Sequence, residues 1–310
     1  MKKVAFIFPG QGSQSVGMGK DFFENSDIAK DMISKASDRL GINFEELLFT
    51  ENDNLGKTEF TQPAILLVSS IANAIFKEKC DVQPEFVLGH SLGEFSALVA
   101  SGALDYLDAI ELVHRRGLFM NEACAGGGAG MMALVGMTDA DVEKICEDQR
   151  EAGKKVWPAN YNMDGQLVLA GIKADLESLV DTFKEAGAKR AIVLDMSVAS
   201  HCELLTSAVE NLRPYLEEYL KDEFSPVISN VTTEAYTTKD DAIELLASQL
   251  TKPVKYKQSI LAKADDVDAF IEFGNGIVLK GLNRKICKSV PTLNVSDLAS
   301  LEKTIEALND

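Results

Sequence analysis

Short apolar runs alternate along the chain with longer stretches whose apolar positions recur at helical spacing. Val4 to Phe8, Phe86 to Leu88 and Ala269 to Glu272 read as strands, while Asp21 to Leu40, Ala64 to Lys79 and Asp108 to Ala123 read as helices. That alternation predicts an α/β fold, a mostly parallel sheet wrapped by helices. One region has a different grain. From Met131 to Asp195 the pattern reads strand (Met131 to Gly136), helix (Asp139 to Arg150), strand (Val156 to Tyr161), strand (Leu167 to Ala170), helix (Ala174 to Ala186) and strand (Ala191 to Asp195). This is the β-α-β-β-α-β order of a ferredoxin-like unit. Gly126, Gly127, Gly128 and Gly130 come just before it and read as a flexible entry joint. The expected division is therefore a small subdomain over 127–198, inserted into a core made of 1–126 and 199–310. A phosphate-loop reading of these glycines is disfavoured, because no strand precedes them, no helix follows, and no Lys-Ser or Lys-Thr closes the run.

Composition narrows the class. At 310 residues there is room for about two domains. The apolar fraction of 46% and charged fraction of 25% exclude disordered, collagen-like and fibrous proteins. With 31 Lys plus Arg against 48 Asp plus Glu, the net charge of -17 would repel phosphate backbones and anionic lipid, so neither nucleic acid nor a membrane is an expected partner. The five cysteines (Cys80, Cys124, Cys146, Cys202, Cys287) contain no C-x-x-C pair, which argues against a disulfide framework or a zinc site and for a reducing compartment. No metal is expected. Val4 to Phe8 is too short for a signal-peptide core, and Pro63 to Phe76 is interrupted by Ser69, Ser70 and Asn73. A cytoplasmic protein is the expectation.

The candidate chemistry begins with Gly89-His90-Ser91-Leu92-Gly93-Glu94, which follows an apolar run and precedes the helical pattern Phe95 to Ala100. This fits a nucleophile elbow, in which a sharp strand-to-helix turn flanked by glycines lifts the Ser91 hydroxyl clear of the sheet. The Leu92 N–H would then face the oxygen that gains charge during acyl transfer. A serine needs a base, and the chain holds only His90, His114 and His201. His90 diverges from its neighbour Ser91, and His114 resembles an ordinary boundary residue on its helix. His201 remains, at the point where the chain would leave the insertion through the loop Met196 to Ser200. The loop Pro9-Gly10-Gln11-Gly12-Ser13-Gln14 directly follows the first strand, and Gln11 could add a second donor to an oxyanion hole. Arg115 has Glu111 four residues earlier as a partner, whereas Arg116 has Leu112, Val113, Phe119 and Met120 around it. Its guanidinium needs an anion, either a substrate carboxylate held bidentately or an acidic residue from elsewhere in the fold; helix geometry alone serves both readings equally.

Taken together, the opening loop, the elbow, Arg116-Gly117, Ser200-His201 and Gln249-Leu250-Thr251-Lys252-Pro253-Val254 resemble the malonyl-CoA:acyl carrier protein transacylases of bacterial fatty acid synthesis. The resemblance runs in order from the first strand to Gly274-Asn275-Gly276. It implies an α/β-hydrolase-like core with a ferredoxin-like lobe, and a cytoplasmic S-malonyltransferase (EC 2.3.1.39) working through a malonyl-serine intermediate. The partners it implies are malonyl-CoA as substrate and acyl carrier protein as acceptor, with no tightly bound cofactor and a monomer as the expected state. By residue it implies Ser91 as nucleophile, His201 as general base and acid, Gln11 and Leu92 as oxyanion donors, Arg116 as holder of the malonyl carboxylate, and Gln249 as the residue orienting His201 in place of an aspartate. The chain departs from the family pattern at Ala199, where proline often precedes Ser-His, and at Asn275, where Gly-Pro-Gly is usual. A serine esterase or thioesterase would account for the elbow and His201 but not for Arg116 and the opening loop; a non-catalytic carrier-binding scaffold would not need the whole set. An acidic carrier protein requires a local basic surface. If Val278 to Lys288 is helical, Lys280, Arg284 and Lys288 form one stripe with Lys285 beside it, a candidate contact for the carrier protein or for CoA phosphates; Lys189-Arg190 is an alternative patch, and a solvated helix face an equal reading.

Overall fold

The computed structural model describes residues 2–126, 128–196 and 198–309. Gly127 of the expected joint and Ser197 of the loop before His201 lie outside the described residues. In chain order the strands are β1 (Val4–Phe8), β2 (Phe86–Gly89), β3 (Ala129–Val135), β4 (Val156–Met163), β5 (Gln166–Ile172), β6 (Arg190–Val193), β7 (Glu223–Ile228), β8 (Ala235–Thr238), β9 (Ala269–Phe273) and β10 (Thr292–Val295). Six of them form a sheet of order β10-β9-β1-β2-β7-β8, parallel except for the β7–β8 pair at one edge. Central β1 is buried along its whole length, as a parallel strand covered on both faces must be. Its side chains divide by alternation. Val4, Phe6 and Phe8 join the larger core, where Phe6 packs edge-on to Phe76 and Phe273, while Ala5 and Ile7 pack with Leu88, Ile228 and Phe270 on the opposite face.

The other four strands form an antiparallel sheet of order β4-β5-β3-β6, the arrangement of a ferredoxin-like unit. Alternation again sorts its faces. Met132, Leu134, Leu167 and Leu169 pack under the lobe's helices with Val142, Leu176 and Phe183, whereas Met131, Ala159 and Ala170 turn toward the main core. The lobe's sheet is tied to the core at Val254, whose N–H donates to the Ala159 carbonyl at 2.8 Å and whose carbonyl accepts the Tyr161 N–H at 2.9 Å. Nearby, Lys257 of the core pairs with Asp139 and, at 3.0 Å, with Asp164 of the lobe.

Several expected elements shift in detail. The stretch Asp21 to Leu40 is two helices, Lys20–Asn25 and Asp27–Leu40, separated by an extended Ser26. Ala174 to Ala186 is likewise broken, at Leu179, into Lys173–Ser178 and Val180–Glu185. Gly130 lies inside β3 rather than in the joint before it. The helix expected from Ala64 starts at Thr58 and carries Pro63 within it. A proline there cannot donate to the carbonyl four residues back. That carbonyl, of Glu59, instead accepts from His114 Nδ1 at 2.7 Å, so His114 is a satisfied docking contact between helices. Gly117, one turn on, lets the helix Tyr106–Cys124 lie close against the same spot, since an added Cβ would sit 2.6 Å from Glu59 Cα. The helix Thr58–Lys79 is long and apolar enough to cross a bilayer, yet 83% of its apolar window is buried inside the fold.

Candidate active site

Register builds the site. Phe8 of β1 lies opposite Gly89 of β2, and Leu88 lies opposite Ile228 of β7. The loops that follow these three strands therefore emerge side by side at the carboxyl edge of the parallel sheet, where open α/β folds bind ligands. The turn after β2 is as tight as its glycines allow. A Cβ on Gly89 would stand 1.8 Å from the Gly93 carbonyl carbon, and one on Gly93 would stand 2.0 Å from Phe8 O. Gly93→Ala should accordingly destabilise the fold by more than about 4 kcal/mol, whereas Gly126→Ala, with open space around the added carbon, should stay within about 0.5 kcal/mol. Denaturant midpoints of the two variants check this; similar values would mean that the elbow is not close-packed.

At the apex Ser91 adopts φ 53°, a left-handed conformation that costs a non-glycine residue free energy and persists only when its surroundings fix it. Asn230, just after β7, is what fixes it. Its Oδ1 accepts the Ser91 N–H at 2.7 Å, and its Nδ2 donates to the Gly89 carbonyl at 2.6 Å. His201 is also left-handed, at φ 60°. The two strained residues meet, with Ser91 Oγ 2.7 Å from His201 Nε2. His201 Nδ1 lies 2.7 Å from the main-chain carbonyl of Gln249; a carbonyl can only accept, so Nδ1 carries the proton and Nε2 offers its lone pair to the serine hydroxyl. Burial, reinforced by the Arg116 charge, depresses this imidazole to about 3. It is neutral near pH 7, and since its ordinary value is 6.5, the stability linked to it is present above about pH 6.5 and is lost as pH falls toward 3.

Gln249 thus reaches His201 through its main-chain carbonyl. Its side chain does something else. Gln249 Nε2 donates to Glu94 Oε2 at 2.7 Å and to Ser91 O at 3.1 Å, and its Oε1 accepts from Arg116 Nη2 at 3.0 Å. Gln62 Oε1 takes Arg116 Nη1 at 2.7 Å. Arg116 is 2% exposed, its guanidinium carbon is 5.4 Å from the Phe95 ring centroid, and its Nε has no hydrogen-bond partner among the described residues. Burial lowers it to about 10, opposed by the charge of Glu94, so it remains a cation. Glu94 is itself buried and pushed up to about 7 by desolvation, against the pull of Gln249, Tyr236 and the Asn230 N–H. Arg116 therefore rests on two neutral amides, with a donor to spare.

These groups share one cavity of about 340 Å³, lined among others by Gln11, Ser91, Leu92, Arg116, Met120 and His201. The N–H groups of Gln11 and Leu92 have no acceptor among the described residues, and the Gln11 side chain reaches Thr58 Oγ1 at 3.3 Å. His90 points away from Ser91. Its Nε2 lies 2.8 Å from Asn162 Oδ1 on the lobe, and its ring lies against Tyr256. All six residues singled out from the sequence, Gln11, Ser91, Leu92, Arg116, His201 and Gln249, thus lie in or directly against the cavity. Gln62, Glu94 and Asn230 were not singled out. Glu94 is visible in the elbow motif as a carboxylate on an otherwise apolar helix, but Gln62 and Asn230 become neighbours of the site only through tertiary contacts.

Comparison with known proteins completes the picture. A family model described as an acyl transferase domain matches residues 5–302. The malonyl CoA-acyl carrier protein transacylase of Bacillus subtilis is 41% identical over 313 residues, covering 100% of this chain and 98% of that protein. The crystal structure of the malonyl-CoA:acyl carrier protein transacylase from Helicobacter pylori superposes with a TM-score of 0.96 at 44% identity, over 100% of this chain and 99% of that one. A type II polyketide acyl carrier protein in complex with its malonyl-transacylase contains a chain that aligns at TM-score 0.95 and 35% identity, covering 98% of this chain and 99% of the other. With its whole length matched, its elbow strained and its arginine buried in the same cavity, the chain belongs to the acyl transferase family and, within it, to the malonyl CoA-acyl carrier protein transacylases.

Proposed function

We infer that this protein moves a malonyl group from malonyl-CoA to the phosphopantetheine thiol of an acyl carrier protein, through an ester on Ser91. The observation that carries the reading is the 2.7 Å contact of Ser91 Oγ with a neutral His201 Nε2, in one cavity with a buried guanidinium that no carboxylate among the described residues pairs. His201 takes the hydroxyl proton as Ser91 attacks the thioester carbonyl, and the C–S bond breaks as the imidazole returns that proton to the departing CoA thiol. The Gln11 and Leu92 amides face the oxyanion, and Arg116 holds the distal carboxylate with N–H groups that neither glutamine occupies. Attack by the carrier-protein thiol reverses the sequence and frees Ser91. No step draws on a bound cofactor. The core 1–126 and 199–310 supplies these groups, and the lobe 127–198 roofs the cavity with Met131, Asn160 and Asn162.

One chain supplies the complete site, which supports action as a monomer, and five free cysteines fit a reducing cytoplasm. The test is single-turnover reaction with malonyl-CoA followed by intact-protein mass. A malonyl adduct on Ser91 is expected, stable without a thiol and discharged by holo acyl carrier protein. Because His201 is already a free base, adduct formation in Glu94→Gln, which removes the carboxyl near 7, should be independent of pH over roughly pH 5 to 8. Rapid release of malonate with no transfer would make the protein an esterase, and a sigmoidal rise centred near 6.5 would mean that His201 is not the buried neutral base described above.

A further inference from the structure

One buried ionisable group takes no part in the steps above. Glu94, 1% exposed, lies on the first turn of the helix Gly93–Ser101 that follows the elbow. Its Oε2 accepts from Gln249 Nε2 at 2.7 Å and from the Asn230 N–H at 3.3 Å, and its Oε1 accepts from the Tyr236 hydroxyl at 2.9 Å. Gln249 passes the contact on, since its Oε1 accepts from Arg116 Nη2 at 3.0 Å. A single amide therefore separates a buried carboxyl from a buried guanidinium. A carboxylate set directly on Arg116 would fill the guanidinium fork and shut out a substrate carboxylate, whereas one held an amide away compensates the charge and leaves N–H groups free.

Few other charges face Glu94. Tyr236 of β8 is its direct partner, Arg116 of the helix Tyr106–Cys124 lies beyond Gln249, and His201, beyond Ser91, is neutral. Of the elements packed against its helix, β1 and β2 carry no titratable side chain and Glu223 of β7 is exposed. On the helix Thr58–Lys79, Glu59 receives Asn121 and Lys77 reaches the Ala100 carbonyl, while Asp240, Asp241 and Glu244 of the helix ending at Gln249 are exposed. Tyr236 makes either charge state of Glu94 tenable. A phenol can donate or accept, so a proton on Oε1 reverses that contact and leaves Oε2 holding Gln249 and Asn230. Desolvation pushes this carboxyl up to about 7, against those hydrogen bonds and the Arg116 charge.

We propose that Glu94 is the exchangeable counter-ion of Arg116: it supplies the negative charge until the malonyl carboxylate arrives, and then gives that charge up by taking a proton. The inference rests on the transfer reading above and adds a positioning residue to it. Two anions compete for one cation in a space shielded from water, so each weakens the other's hold. Binding of the substrate carboxylate raises the proton affinity of Glu94, and by reciprocity a protonated Glu94 tightens the grip on malonyl-CoA. An acetyl group carries no charge and exerts no such pull.

Proton uptake on acylation tests this without any substitution. Transfer from CoA to Ser91 exchanges a hydroxyl proton for a thiol proton, so the chemistry itself is proton-neutral near pH 7.5. With an upward shift of about one pH unit at Glu94, roughly half a proton per malonyl-serine should be taken up from a weakly buffered solution near pH 7.5, and none on acetylation. The malonyl-CoA concentration for half-maximal single-turnover acylation should rise about tenfold from about pH 6 to 9, with no such rise for acetyl-CoA. Glu94→Gln copies the protonated state, with its oxygen toward Gln249 and Asn230 and its nitrogen toward the Tyr236 hydroxyl. It should abolish both the uptake and the pH dependence, and bind malonyl-CoA at pH 9 as tightly as the unaltered protein does at pH 6. Malonylation without proton uptake would overturn the proposal, as would equal uptake with acetyl-CoA or a tenfold rise that persists in Glu94→Gln; if that variant does not fold, uptake by the unaltered protein decides alone. Absence of any malonyl-serine in the unaltered protein would instead strike the transfer reading itself.

Discussion

Replacing Ser91 by alanine is expected to eliminate the covalent malonyl adduct and to lower transfer by at least about 10⁴-fold. The size follows from how the site is built. In the proposed mechanism nucleophile and base act as a unit, with Oγ on Nε2 and Nδ1 held by the Gln249 carbonyl, so removing the hydroxyl leaves the imidazole without a group to activate. Folding should survive the change, because the Ser91 backbone is held by Asn230 through the N–H, which alanine retains. Alanine at φ 53° bears much the same backbone strain as serine. Intact mass after incubation with malonyl-CoA reads the adduct, and a denaturant midpoint confirms the fold. A persisting adduct that maps to another residue would remove Ser91 from the mechanism.

Arg116→Ala is expected to lower kcat/KM for malonyl-CoA by roughly 10- to 150-fold, the equivalent of about 1.5 to 3 kcal/mol for charge-assisted hydrogen bonds to a carboxylate. Acetyl-CoA has no carboxylate to lose. Its use should hold or improve, because the native cavity confronts it with a buried cation that it cannot pair. The ratio of the two substrates is the decisive readout, since it cancels losses from Gln62 and Gln249, which also lose a partner in the variant. Arg116→Lys keeps the charge but not the planar fork, and should recover only part of the preference. A malonyl-to-acetyl ratio equal to that of the unaltered protein would show that the guanidinium does not recognise the substrate carboxylate.

The parts of this site that could be read from the sequence are those whose physics is local. Gly89 and Gly93 are needed by a turn that no side chain could enter, so the elbow announces itself in six residues. The ferredoxin-like order was legible because short apolar runs and helical patterns succeed one another as strand, helix, strand, strand, helix and strand between Met131 and Asp195. His201 followed by elimination, there being only three histidines to choose among. The rest depends on contacts made at long range. Arg116 could be seen to lack a partner on its own helix, but its real neighbours, Gln62 and Gln249, come from 54 and 133 positions away. Asn230 follows β7, whose short exposed-buried pattern does not stand out as a strand, and its clamp on Ser91 spans 139 positions. The break at Ser26 and the end of the last basic helix before Lys288 are boundary effects, where propensity is weakest and packing decides.

The short segment from Gln249 to Val254 performs two duties at once: its first carbonyl grips the imidazole, and its last residue is stitched to the lobe through Ala159 and Tyr161. Roof and imidazole thus hang from a single strap. Any displacement of the lobe would pull on the carbonyl that holds the imidazole, so the seating of the roof and the aim of the ring are mechanically coupled.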